Sequence, residues 1–120
     1  MKVKILKFMC LFFLLIGGVV FVLVGRMEQV QSDTSIVIID KKESKTIVFY
    51  KDDCPHCQSV FPWLYFHNLR YNDLLFVNLN QPKNREYIQP YKIKSVPTLV
   101  RGNAHYSGTN IKELQKFIAH

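Results

Sequence analysis

Residues 8–25, FMCLFFLLIGGVVFVLVG, form an uncharged run of 18. As a helix rising about 1.5 Å per residue, the run spans about 27 Å, close to the hydrocarbon thickness of a bilayer. It is too long and too apolar to be one element of a small soluble core, so any soluble fold must be built from the residues after it. Lys2, Lys4 and Lys7 stand on its N-terminal side and only Arg26 on the other. The positive-inside rule then places residues 1–7 in the cytoplasm, 8–25 in the membrane as a single anchor, and the remainder outside the cytoplasm. A cleaved signal peptide is the competing reading. The run exceeds the usual apolar core of such peptides, about 7–15 residues, and no A-x-A-like site comes after it. Both readings deliver the same domain to the same compartment, and the uncleaved anchor is preferred. Residues 26–35, RMEQVQSDTS, read as a polar tether, and residues 36–120 as one small domain.

The chain of 120 residues carries a formal charge of +7, but the four basic residues around the anchor account for most of it. Residues 27–120 hold twelve Lys/Arg and all nine Asp/Glu, for a charge of +3 without any basic block. No basic stripe is interleaved with aromatics, which argues against nucleic acid as a partner.

Of the three cysteines, Cys10 lies in the apolar run and reads as an inert apolar residue. Cys54 and Cys57 form the one C-x-x-C, so there is no further disulfide framework and the domain must be held by an ordinary core. The β-branched and aromatic stretch TIVFY (46–50) reads as a buried strand leading into that pair. Apolar residues at 57, 60, 61, 64 and 68/69 then fall near helical spacing, with Pro62 expected to kink the helix. DLLFVNL (73–79) predicts a second strand and KNREYIQ (83–89) a short helix stopped at Pro90. TLVR (98–101) and AHYS (104–107) flank Gly102-Asn103, a two-residue hairpin loop suited to a type II′ turn. NIKELQKFIA (110–119) predicts a last helix, capped by Asn110 with Glu113 at the capping-box position. SIVIID (35–40) reads as a candidate extra strand. KKESK is too short for a parallel crossover of about a dozen residues, so either the helix that often fills this gap is missing or reduced, or the two strands form a hairpin. Trp63 and Phe66 read as core or partly buried residues, with an apolar rim around the cysteines as the alternative. Tyr50 and Tyr91 read as core aromatics, and no role is assigned to His67, His105 or His120.

A C-x-x-C between a buried strand and a helix start has a definite chemistry. Cys54 would stand at the helix N-terminus and Pro55 at the first helical position, where a missing N–H costs nothing. Unpaired N–H groups and the positive end of the helix favour negative charge on the Cys54 sulfur. Cys54 is then the nucleophile and Cys57 the resolving thiol. Pro55 and His56 tune the pair, and Asp52 and Asp53 oppose His56 by placing negative charge nearby. Half a zinc site is one alternative, but four ligands are needed and no second C-x-x-C exists, so no metal is expected. Two incidental structural thiols are the other.

Residues 46–120 resemble the thioredoxin superfamily. The resemblance rests on TIVFY before CPHC, Pro62 five residues after Cys57, YKIKSVPTL (91–99), and Gly108 before a C-terminal amphipathic helix. It implies a thioredoxin-like α/β fold, a central mixed β-sheet flanked by helices, here preceded by one N-terminal transmembrane helix. It also implies a cis Val96–Pro97 bond beside the cysteines, with Val96 and Pro97 binding an extended substrate segment. CPHC with Val96 before the proline is similar to the DsbA group of disulfide donors. The large helical insertion of that group is absent, since only 39 residues separate Cys57 from Pro97. Val48 stands where the family carries a buried acid, and Asp53 where an aromatic often precedes the first cysteine. The layout is also similar to membrane-anchored thiol oxidoreductases of Gram-positive bacteria and to accessory proteins encoded with disulfide-containing bacteriocins.

The expected function is an extracytoplasmic thiol–disulfide oxidoreductase, donating disulfides to exported substrates through a Cys54–Cys57 redox pair. The expected partners are protein or peptide thiols and disulfides, a membrane redox partner, and the membrane through residues 8–25. No cofactor is expected beyond the Cys54–Cys57 disulfide. A reductase or isomerase of the same fold, and a peptide-binding accessory protein for export of a disulfide-containing peptide, stand as alternatives.

Overall fold

The computed structural model describes residues 1–119, so His120, the end of the expected domain, lies outside the described residues. Internal contacts divide the chain into two units, Met1–Val30 and Gln31 onward. The first unit belongs to helix α1, Lys2–Ser32, none of whose residues is buried. α1 is long and apolar enough to cross a membrane. The helix does not stop at Arg26. It continues to Ser32, so most of the stretch read as a tether is helical.

The second unit is built on a four-stranded sheet in the order β2-β1-β3-β4, with β1 Thr46–Tyr50, β2 Leu74–Asn78, β3 Thr98–Arg101 and β4 Ala104–Ser107. β1 pairs in parallel with β2 and antiparallel with β3, and β3 pairs antiparallel with β4, so the sheet is mixed. Every residue of β1 is buried. A strand covered on both faces should read as an unbroken apolar run, as TIVFY does. Alternation sends Val48 to one face and Ile47 and Phe49 to the other.

Helices α2, Pro55–Tyr71, and α3, Ile111–Ile118, cover the Val48 face. Val60 and Leu64 of α2 and Leu114 and Ile118 of α3 meet Val48, Leu74 and Leu99 there. Each such side chain contributes about 1.5–3 kcal/mol by leaving water. α2 runs through Pro62 as one helix and stops at Asn72, whose φ of 49° is left-handed. Its inner stripe turns toward Tyr65 rather than Leu69, which is exposed, as is Phe66. Trp63 is half-buried against the core.

The opposite face is covered by the chain between β2 and β3 and by residues 37–39. The short helix expected at 83–89 is a 3-10 helix, Pro82–Tyr87, that opens on Pro82. Residues 35–40 form no strand. Instead they lie along that helix, held by side chains. Asn84 Oδ1 accepts the Val37 N–H at 2.9 Å, and Asn84 Nδ2 donates to the Ser35 carbonyl at 3.0 Å. The Tyr87 hydroxyl donates to the Val37 carbonyl at 2.8 Å and accepts the Ile39 N–H at 3.0 Å. Sequence alternation in SIVIID still sorts the side chains. Val37 and Ile39 pack inward, whereas Ile36 and Ile38 face solvent.

Gly102 takes a φ of 59° while Asn103 does not turn left-handed, the pattern of a type II′ turn. Asn110 caps α3 through Oδ1, which accepts the N–H groups of Lys112 and Glu113. The reciprocal half of a capping box is not made. The Asn110 N–H donates to the Tyr106 hydroxyl, and Glu113 pairs with Lys116.

Candidate active site

β1 ends at Tyr50, and a tight turn through Lys51, Asp52 and Asp53 leads into α2. The Cys54 N–H donates to the Lys51 carbonyl at 3.3 Å, closing the turn. Cys54 is extended, with φ −88° and ψ 120°, and serves as the N-cap of α2; Pro55 is the first helical residue. A backbone N–H that would be orphaned at a helix start here points at sulfur. The Cys57 N–H donates to Cys54 Sγ at 3.4 Å.

The two thiols differ sharply in setting. Cys54 is half-buried, and Cys57 is only 1% exposed. Both stand as free thiols. Burial pushes the Cys57 thiol up to about 12, with the Cys54 sulfur and the Asp53 charge adding to the rise and a Lys51 backbone hydrogen bond working against it. Cys57 is thus held as a protonated thiol beneath an accessible sulfur.

The loop before β3 supplies the second wall. Cys54 Sγ lies 3.9 Å from the carbonyl oxygen of Val96. The Val96–Pro97 peptide bond is cis, Pro97 is buried and Val96 half-buried. Thr98 fixes this loop, because its Oγ1 donates to the Ser95 carbonyl at 2.6 Å and sits 2.6 Å from Ser107 Oγ on β4. The fold therefore brings Cys54, Cys57, Val96 and Pro97 together. Pro55 and His56 occupy the exposed first turn of α2 beside them.

One contributor has no local sequence signal. Asn80, just past β2, donates from Nδ2 to Asp53 Oδ1 at 2.9 Å and also to Asp52 Oδ1. This hydrogen bond holds the Asp53 carboxyl below its usual range. Gln58 adds a bond from Nε2 to the Asp52 carbonyl at 2.9 Å. The two carboxylates before Cys54 are therefore tied to the end of a neighbouring strand. Only the parallel pairing of β1 with β2, which sets Tyr50 opposite Asn78, brings Asn80 to that position. Val48, at the position of the family's buried acid, is fully buried among apolar side chains. Tyr50 packs nearby, and burial followed by the charges of Asp33, Asp52 and Cys57 pushes its hydroxyl well above its ordinary range. Among the described residues, no group of His, Cys, Asp and Glu side chains is arranged to hold a metal ion.

Comparison with known proteins agrees with this geometry. A family model described as thioredoxin matches residues 27–120. The glutaredoxin of Archaeoglobus fulgidus superposes with a TM-score of 0.51 at 22% identity, covering 67% of this chain and 91% of that one. Mitochondrial thioredoxin 3 of Saccharomyces cerevisiae, in its oxidized form, gives a TM-score of 0.51 at 21% identity, covering 65% of this chain and 78% of that one. No curated protein matches the sequence significantly. At these identities the two structures speak for the fold, and the family model spans far more than half of the sequence. The chain belongs to the thioredoxin family.

Proposed function

We propose that this protein is a membrane-anchored thiol–disulfide oxidoreductase that donates disulfides to exported polypeptides through Cys54 and Cys57. The reading is carried by the asymmetry of the pair, an accessible Cys54 sulfur at a helix N-cap above a buried, protonated Cys57. The thioredoxin-family fold supports exchange with protein thiols and disulfides in general.

In the oxidised protein, a substrate thiolate attacks Cys54 Sγ. The Cys54–Cys57 bond breaks, and Cys57 leaves as a thiolate that takes up a proton. A second substrate thiolate then attacks the substrate sulfur of the mixed disulfide and expels Cys54. The substrate loses two electrons to the cysteine pair, which a membrane redox partner must reoxidise. Burial disfavours the departing Cys57 thiolate, so the first step requires that sulfur to take up a proton as it leaves. Val96, whose carbonyl flanks Cys54 Sγ, offers backbone for β-like pairing with an extended substrate, and Pro97 backs it. Pro55 and His56 adjust the pair from the first turn of α2. Residues 8–25 anchor the protein, and the excess of Lys2, Lys4 and Lys7 over Arg26 orients the domain outside the cytoplasm.

Alkylation trapping in living cells tests the direction of electron flow. A pair found mainly oxidised at steady state supports the donor role. A mainly reduced pair overturns it in favour of a reductase or isomerase.

A further inference from the structure

About 20 Å along α2 from Cys54, at the rise of an α-helix, lies a second cluster that the cysteine chemistry does not use. Trp63, His67 and Tyr71 succeed one another at helical spacing and form a ladder of rings. Trp63 and His67 stack with centroids 5.3 Å apart, and His67 and Tyr71 lie 4.7 Å apart. His67 Nε2 sits 2.9 and 3.2 Å from the two carboxylate oxygens of Asp73, just before β2. Together with Gln115 and Ile118 of α3, these residues line an open cleft of about 300 Å³.

We propose that this cleft binds the cationic side chain of a lysine or arginine presented by a polypeptide partner. The volume falls within the range of small-ligand sites, and the pattern is theirs, a mainly apolar lining with a few converging polar groups. Charge selects the class. Among the described residues of the lining, Asp73 is the one carboxylate and there is neither lysine nor arginine. Arg70, the nearest cation on α2, lies over the Tyr71 ring at 5.3 Å. A long aliphatic stem covers the walls formed by Trp63, Tyr71 and Ile118, and its charged head reaches Asp73 and the Gln115 amide. The contact to His67 fixes the carboxylate where the head arrives. Ring packing alone accounts for the half-burial of Trp63.

Trp63 is the only tryptophan in the chain, so its fluorescence reports on this cleft alone. The full chain in detergent micelles is titrated with acetyl-Gly-Lys-Gly-amide and acetyl-Gly-Arg-Gly-amide. The norleucine and glutamate peptides of the same form serve as probes of charge. A saturable change with the basic peptides is expected, weakened by at least about tenfold in Asp73→Asn, the weight of one charge-assisted hydrogen bond. Gln115→Lys, on the exposed side of α3, should abolish the response by placing an ammonium in the cleft. The double variant Cys54→Ser/Cys57→Ser should respond as wild type, which separates this site from the redox pair. No saturable change, an equal change with norleucine, or a response that persists in both Asp73→Asn and Gln115→Lys overturns the proposal.

Discussion

The sulfur of Cys54 lies 3.9 Å from the carbonyl oxygen of Val96, a residue 42 positions further along the chain. Cys57, three positions away from Cys54, reaches that sulfur through its backbone and is itself 1% exposed. Access to the pair therefore runs through Cys54. In the reduced protein, iodoacetamide should modify Cys54 faster than Cys57 by at least about tenfold, as read by mass spectrometry of quenched samples. Cys57→Ser should accumulate mixed disulfides through Cys54, and Cys54→Ser should accumulate few. Equal alkylation of the two thiols would remove the basis for assigning Cys54 as the attacked sulfur.

The buried Cys57 also makes stability depend on pH. Its thiol is raised from an ordinary value of 9.0 to about 12, chiefly by burial. Between those values the unfolded chain releases this proton and the native protein keeps it, so stability falls as pH rises. Below about 9 the contribution is complete and constant, and it is lost as pH rises through about 12. Urea unfolding of the reduced protein from about pH 8 upward should show this decline. Cys57→Ala should flatten it in part, the remainder coming from the raised Tyr50 and Tyr91 hydroxyls. Identical slopes in wild type and variant would contradict the assignment.

Asn84 is fully buried and satisfies three backbone groups at once, the Val37 N–H and the carbonyls of Ser35 and Asn78. Asn84→Ala leaves all three without that partner and should cost about 2–4 kcal/mol in denaturant unfolding. It should also expose residues 33–40 to protease in the native protein, because side chains rather than a sheet ladder hold that segment. A variant that unfolds like wild type and resists cleavage would show that the segment is held some other way.

Gly108 has a φ of 151°, and a Cβ placed on it would lie 2.9 Å from the Tyr106 hydroxyl. That hydroxyl accepts the Asn110 N–H at 3.2 Å at the start of α3. Gly108→Ala should therefore cost about 1–3 kcal/mol through backbone strain and the displaced hydroxyl. Combining it with Tyr106→Phe should be less damaging than the sum of the two changes, because both act on the same contact. Strict additivity in unfolding experiments would argue that the two positions are independent.

Local sequence determined a good deal here. The apolar run 8–25 dictates a helix because a stretch with no charge must satisfy its backbone internally if it enters a membrane. TIVFY is a strand buried on both faces, and its unbroken β-branched and aromatic character says so. Pro55 after Cys54, Asn110 before Ile111 and Gly102-Asn103 are turn and cap signals whose physics acts within a few residues. Each acts in the structure as that local chemistry requires.

Tertiary structure decided what depended on distant partners. SIVIID has strand-like alternation, yet it forms no ladder because Asn84 and Tyr87 offer its backbone groups alternative partners. Glu113 stands in capping-box register, but the Tyr106 hydroxyl, brought by β4, takes the Asn110 N–H first. Asn80 reaches Asp52 and Asp53 only because β1 and β2 run parallel in a register that sets Tyr50 against Asn78. His67 had no assignable role from sequence and gained one when the end of α2 met Asp73. Periodicity and caps are local free energies, legible in a short window. A hydrogen bond between residues dozens of positions apart exists only once the sheet has fixed which strands are neighbours and which groups must find partners away from water.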